Sequence, residues 1–460
     1  MFGVVARYSP YYKRLLTLAI PVVVAQVGQL TTQFADTAMV GNYGGEDPVP
    51  LAAISIGSSL FLLVYLAALG MALAITPIVG ESYAQGDNRG VGRLIQNGML
   101  YSLITGLVAT GVALMLRPLI GKFGEWMSSP GQDVTAVVEM AVPYYDMLVW
   151  SLVPMMLFLA IKQSLEGIGN TRTTMWITLF GNALNIGLNY VFIFGNFGFE
   201  AMGAEGAGLA TLLSRVAQTL LILGYFLFSR HLSIYRRNME FGAFSSNALV
   251  RLLKIGYPIS FQMVLESAAF ILTSILALSF NEIAASSMQV AFSIANIAWM
   301  VTVALGSAST IALSHIYGNN ARHELRPMVA ATYHLGLMWA LAMAVFFVVL
   351  RVPIAEIFTD NQAIVTLTSE LMLLIAIYQF SDAIQGLSIS MLRGLQDVKV
   401  IMPIVLCSYL GLNIPIGMLL AYYFELECHG LVVGLIVGLT AAALFTLVRL
   451  RTTVRRISKA

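Results

Sequence analysis

Eight stretches of this chain run for about twenty residues or more without one Asp, Glu, Lys or Arg: 15–35, 48–80, 94–116, 173–199, 283–321, 327–350, 400–424 and 428–448. A backbone that crosses roughly 30 Å of hydrocarbon must satisfy its own N–H and C=O groups, and a helix of about 20 apolar residues does so. Four more apolar stretches carry isolated ionisable residues: 134–161 with Glu139 and Asp146, 206–229 with Arg215, 255–281 with Glu266, and 361–392 with Glu370 and Asp382. Together they predict twelve transmembrane helices and an all-α membrane protein. Composition agrees: 58% of the 460 residues are hydrophobic and 10% charged, where a water-soluble chain carries roughly 25% charged residues. A net charge of +2 excludes the dense basic surface of a nucleic-acid binder. The two cysteines, Cys407 and Cys428, lie in or beside apolar stretches, and no Cys/His spacing suggests a disulfide framework, a metal site or haem.

The positive charge is distributed on one side. All Lys and Arg except Arg215, Arg117, Lys122 and Arg351 fall on one side of the twelve-span arrangement, which places that side and both chain ends in the cytoplasm. The opposite loops carry Glu46, Asp47, Glu200, Glu205, Glu282, Glu425 and Glu427. The apolar run behind Lys13 and Arg14 passes Gln33 without a small-residue cleavage site, so it reads as the first span rather than a signal peptide. The expected location is an inner, cytoplasmic membrane.

The chain also repeats. Lys13-Arg14-Leu15-Leu16 with Ile20-Pro21 returns as Val250-Arg251-Leu252-Leu253 with Tyr257-Pro258, and Ala68-Leu69-Gly70 returns as Ala304-Leu305-Gly306. Leu165-Glu166-Gly167 matches Leu392-Arg393-Gly394, and Leu184-Asn185-Ile186 matches Leu412-Asn413-Ile414. Two six-helix bundles follow, at 1–229 and 250–460, joined by a basic cytoplasmic connector at 230–249, with one orientation and an axis along the membrane normal.

Polar residues inside spans carry the functional question, because a charge at bilayer depth is expensive and usually faces a cavity. Gln26, Gln29, Gln33 and Asp36 share one face of the first span; Gln262, Glu266 and Thr273 share one on the seventh, and Gln289, Ser293 and Asn296 one on the eighth. Hydrogen-bond glue between helices is the plain reading of any single amide. For Asp36, Glu266 and Asp382 no neighbouring Lys or Arg in sequence offers a neutralising partner. These stripes make Gln29, Gln33, Asp36, Gln262, Gln289 and Asn296 candidates for a substrate cavity. Asn185 and Asn189, at i and i+4, can join Asp36 and Thr211 in an oxygen-rich pocket for a sodium ion, while a proton needs one carboxylate only. Arg215 reads as a structural ion pair or a side chain reaching toward a wet cleft, with an anionic substrate as the functional alternative.

The ordered set Ile20-Pro21, Phe34-Ala35-Asp36-Thr37, Leu184-Asn185-Ile186 through Asn189-Tyr190, Leu265-Glu266-Ser267, Leu305-Gly306-Ser307-Ala308, and Asp382 ahead of Leu392-Arg393-Gly394 resembles multidrug and toxic compound extrusion transporters, most closely the NorM-type branch. The resemblance covers essentially the whole chain. It implies two bundles around a central cavity and efflux of small amphipathic, cationic drugs or metabolites by a monomer, coupled to sodium or protons, with no cofactor and no metal beyond a transported sodium ion. It assigns coupling-cation binding to Glu266 and Asp382, with Trp299 where some relatives have a cation-facing tyrosine, and to Asp36 with Asn185, Asn189 and Thr211. Asn189 stands where some relatives have an aspartate. Relatives in the wider superfamily flip lipid-linked sugars, and a flippase for such anionic substrates is the alternative. More remote are an intramembrane enzyme, for which His231, His315, His323, His334 and His429 form no catalytic motif, and a passive channel, for which a twofold repeat with asymmetric acids is ill suited.

Overall fold

The computed structural model describes residues 2–45, 47, 49–122, 134–239 and 244–459. Glu46, connector residues 240–243 and the chain ends Met1 and Ala460 lie outside the described residues. The described chain is almost wholly helical, without strands, and holds twelve helices long and apolar enough to cross a membrane. We number them α1 (Arg7–Gly44), α2 (Val49–Ala84), α3 (Asn88–Leu116), α4 (Thr135–Gly167), α5 (Thr171–Phe194), α6 (Gly203–Phe228), α7 (Ser246–Leu278), α8 (Glu282–Gly318), α9 (Arg322–Phe358), α10 (Gln362–Gly394), α11 (Ile401–Tyr423) and α12 (Glu427–Lys459). All twelve expected spans are present. Several helices outrun their apolar stretches, as α1 and α7 do at their charged beginnings, because hydrocarbon thickness sets the length of the apolar run and not that of the helix.

Short polar side chains start the helices. Asp87 accepts a hydrogen bond from the Gly90 N–H at 2.8 Å ahead of α3, and Asn170 from Thr173 at 3.3 Å ahead of α5. Asn281 and Asn361 do the same for α8 and α10, from Ala284 at 2.7 Å and Ala363 at 3.0 Å. Each satisfies a backbone donor that the helix cannot, an effect worth about 1 kcal/mol.

The repeat reappears in the way helices stop. Gly86 and Asn320, which end α2 and α8, both adopt positive φ, and so do Gly169 and Gln396, which follow α4 and α10. At each of the four, one N–H reaches back five residues: Asp87 to Ser82 O, Ala321 to Ile316 O, Asn170 to Leu165 O and Asp397 to Leu392 O. The left-handed residue itself donates three back, as Gly169 does to Glu166 O and Gln396 to Arg393 O, both bonds completing a Schellman closure. Just before it, the repeated glycine sets helix contact. A Cβ on Gly167 would lie 2.9 Å from Thr76 O, and one on Gly394 would lie 2.8 Å from Thr310 O. The same threonines cross between helices, Thr76 Oγ1 to Gln163 O at 3.2 Å and Thr310 Oγ1 to Ser390 O at 2.7 Å.

The chain divides into two compact units, Val24–Ser260 and Met1–Val23 with Phe261–Ala460. The units keep the sequence halves except for the leading stretches of α1 and α7, which are exchanged. The start of α7 is held in the first unit by Ser260 Oγ on Ala67 O at 2.8 Å and by the Arg251–Glu81 ion pair. The start of α1 is held in the second by Tyr12 on His334 at 2.8 Å and by Arg14 with Glu324 at 3.8 Å. In the first unit Arg117 forks onto Asp146 at 2.9 and 2.8 Å, which accounts for one acid that interrupts the fourth span. In the second unit α11 is wound in part as π-helix, over Leu406–Asn413 and Leu419–Tyr423.

Because the space beside Gly167 and Gly394 is filled by backbone, Gly167→Ala and Gly394→Ala should each destabilise by the overpacking cost of about 1–3 kcal/mol. Thermal melts of the purified protein check this, with Gly187→Ala, where no atom lies within 4 Å of the added methyl, expected to melt like the wild type.

Candidate functional site

In the first unit the cluster is built on α1, α5 and α6. Asn185 and Asn189 lie one turn apart on α5, so both amides point the same way, and both are buried, Asn189 completely. Asn189 Nδ2 donates to Asp36 Oδ1. With the Asn185 amide oriented to suit its neighbours, its nitrogen donates to the same Asp36 oxygen at 3.0 Å and its oxygen accepts from the Thr211 N–H at 3.3 Å. Asn189 Oδ1 is buried without a hydrogen-bond partner. Arg215, on α6, is close enough to act electrostatically on Asp36. Its Nη1 donates to Ser151 Oγ at 2.5 Å, and its guanidinium carbon lies 5.4 Å from the Phe61 ring centroid. Ser151 stands at the break that divides α4 into Val134–Trp150 and Leu152–Gly167. The sequence offered Asp36 no cation nearby; the fold brings one from α6.

In the second unit the cluster is built on α7, α10 and α11. Glu266 Oε1 accepts from the Tyr409 hydroxyl at 2.8 Å and from Gln385 Nε2 at 3.3 Å, while Oε2 accepts from Gln262 Nε2 at 2.5 Å. Gln385 Nε2 also reaches Tyr409 at 3.0 Å. On its other side Gln262 accepts from Arg393 Nη2 at 2.5 Å, so a single amide links the guanidinium to the carboxylate. Asp382, one turn from Gln385 on α10, is 4% exposed and lies within electrostatic reach of Glu266. Tyr378 is its hydrogen-bonding neighbour, yet Asp382 Oδ2 has no partner, and neither has Arg393 Nε. The cluster thus holds two acids, one base and an open acceptor oxygen.

The structure brings together Asp36, Asn185, Asn189 and Thr211 in one unit, and Glu266, Asp382 and Gln262 in the other. Trp299 is 40% exposed, and among the described residues no bond or ring contact ties it to Glu266 or Asp382. Gln33, Gln289 and Asn296 are exposed, as is Gln29, which bonds the Tyr65 hydroxyl. Sequence reasoning missed Tyr409, Gln385, Tyr378 and Arg393. For Arg393 a signal was available, since the repeat puts it where the first half has Glu166. Tyr409 gave none, because its direction depends on the π-helical winding of α11.

The family model MatE matches residues 21–191 and 258–419, one block in each half of the chain. Among solved structures, a MOP-superfamily transporter from Pyrococcus furiosus, described as having a binding pocket of reversed polarity, superposes with a TM-score of 0.86 at 21% identity, covering 100% of this chain and 99% of that one. An outward-facing multidrug resistance MATE transporter of the same superfamily gives 0.85 at 21% identity over 98% and 97% of the two chains. The eukaryotic MATE transporter AtDTX14 gives 0.86 at 18% identity over 98% and 99%. At these identities the likeness is one of fold, and the matched blocks carry the assignment: this multi-pass membrane protein belongs to the MatE family of multidrug and toxic compound extrusion transporters.

Proposed function

We propose that this protein is a cation-coupled antiporter that exports small amphipathic, cationic compounds by alternating access. The observation that carries the reading is the Glu266–Asp382 pair, one acid half-buried and one buried within the apolar helices α7 and α10, with one acceptor oxygen unfilled. Buried charge without an equal partner is costly, so such a pair draws in a cation and gives it up when its surroundings change. Sodium or a proton fills that role, and no cofactor is needed. Each inward charge gains about 2.3 kcal/mol per 100 mV of membrane potential, roughly a 50-fold concentration ratio when fully coupled. In the first unit the exposed amides Gln29 and Gln33 suit contact with a polar part of the substrate, and Asp36 supplies attraction for a cationic one; in the second, Gln289 and Asn296 are likewise exposed. The one-sided distribution of Lys and Arg supports an inner-membrane location with both ends cytoplasmic, and the protein acts as a monomer.

Reconstituted into liposomes under separately imposed sodium and proton gradients, the wild type should export a cationic dye uphill with at least one of them. The Glu266→Gln/Asp382→Asn double variant should lose that uphill export while keeping the wild-type elution profile. Ion-driven export at the wild-type rate by the double variant would refute the coupling role.

Asp36 and Arg215 make opposite demands on a cationic ligand. A unit charge about 8 Å away, at an effective dielectric constant of about 20, is worth about 2 kcal/mol, or roughly 30-fold in affinity. Asp36→Asn should weaken binding of a cationic ligand by about that factor and hardly alter a neutral one, and Arg215→Gln should strengthen the cationic ligand. Binding titrations with one ligand of each kind read both effects.

A further inference from the structure

We infer that Arg393 is the built-in counter-charge of the Glu266–Asp382 pair and leaves that cluster with room for one monovalent cation. This rests on the reading of the cluster as the coupling-ion site and adds its capacity. Arg393 is on α10, three turns beyond Asp382 on the same face, and its reach to Glu266 is through Gln262: Arg393 Nη2 to Gln262 Oε1 at 2.5 Å, then Gln262 Nε2 to Glu266 Oε2 at 2.5 Å. A glutamine there relays the field of the cation without a direct ion pair, because it offers an acceptor to one partner and a donor to the other. Arg393 and Glu266 also interact electrostatically. Two carboxylates against one guanidinium leave a single negative charge. The open acceptor, Asp382 Oδ2, marks where the balancing cation makes its first bond.

A purely architectural role for Arg393 fits poorly with the repeat. At the matched position of the first unit stands Glu166, whose charge is met by Lys162 one turn earlier at 3.9 Å. Both helices end with the same backbone closure, and the following Gly167 and Gly394 pack against equivalent threonine carbonyls. The scaffold at this position therefore works with an acid as well as with a base. The base occurs in the unit that holds Glu266 and Asp382.

The test counts sodium bound to the full-length protein in lipid nanodiscs, using radioactive sodium at a fixed, mildly alkaline pH. The count of interest is the amount bound at saturation in excess of that bound by the Glu266→Gln/Asp382→Asn double variant. It should be one per molecule for the wild type, two for Arg393→Gln and one again for Arg393→Lys. A structural role would lower the melting temperature of Arg393→Gln without raising the count. Equal counts for the wild type and Arg393→Gln overturn the inference, as does a wild-type count of two. A wild-type count of zero overturns it as well, while export driven by a proton gradient would still stand. If Arg393→Gln does not fold, the wild-type and Arg393→Lys counts decide, since both must equal one.

Discussion

Inside hydrocarbon every charge has to be met by another part of the protein, and that requirement organises what this chain does with its few buried ionisable residues. Water is not there to solvate them, and leaving one unmatched costs several kcal/mol. At the two candidate clusters the chain answers with different internal arrangements. In the first unit a single acid, Asp36, lies in the field of a single base, Arg215, with two asparagine amides on the carboxylate. In the second, Glu266 receives bonds from three neutral side chains and the field of Arg393, while Asp382 shares the space without a base of its own.

The two arrangements grow on one scaffold. Helix ends at Gly86 and Asn320, and at Gly169 and Gln396, close in the same way, and the threonine-to-carbonyl crossings beside Gly167 and Gly394 correspond. Backbone closures and close helix contacts are set by geometry, which a duplicated half keeps. In the buried polar residues the halves part: Gln29 corresponds to Glu266, Asp36 to Thr273 and Glu166 to Arg393. Duplication supplies a frame that tolerates such exchanges, because the residues that hold the helices together are not the ones that carry charge.

The same division explains what could be read from the sequence. Spans and the repeat depend on local patterns: charge-free runs, and paired fragments such as Leu165-Glu166-Gly167 and Leu392-Arg393-Gly394. The Asp36–Asn185–Asn189–Thr211 pocket was legible because the i, i+4 spacing of the asparagines fixes a face. The surroundings of Glu266 were not, since Gln385, Arg393 and Tyr409 come from helices more than a hundred residues away in the chain. Tyr409 is aimed by π-helical winding, which has no signature in hydrophobic periodicity.

What separates a carboxylate that builds from one that binds is whether its oxygens are already filled. Asp397, between α10 and α11, is held by Arg449 Nε at 2.9 Å and Nη2 at 2.8 Å and by Thr453 Oγ1 at 2.5 Å. Burial alone would push its carboxyl up, but those bonds and the guanidinium charge outweigh burial and keep it below the usual carboxylate value. A carboxylate so depressed contributes stability at neutral pH that fades only on acidification through its folded value. Both oxygens of Asp397 already have donors. Asp382 is buried as deeply as any acid among the described residues, yet one oxygen is free, and Asn189 Oδ1 is free beside Asp36. A fully satisfied polar network is rigid, whereas a buried polar group without a partner is costly in a low dielectric and gains when one arrives. The unfilled oxygens are therefore where reversible binding is to be expected.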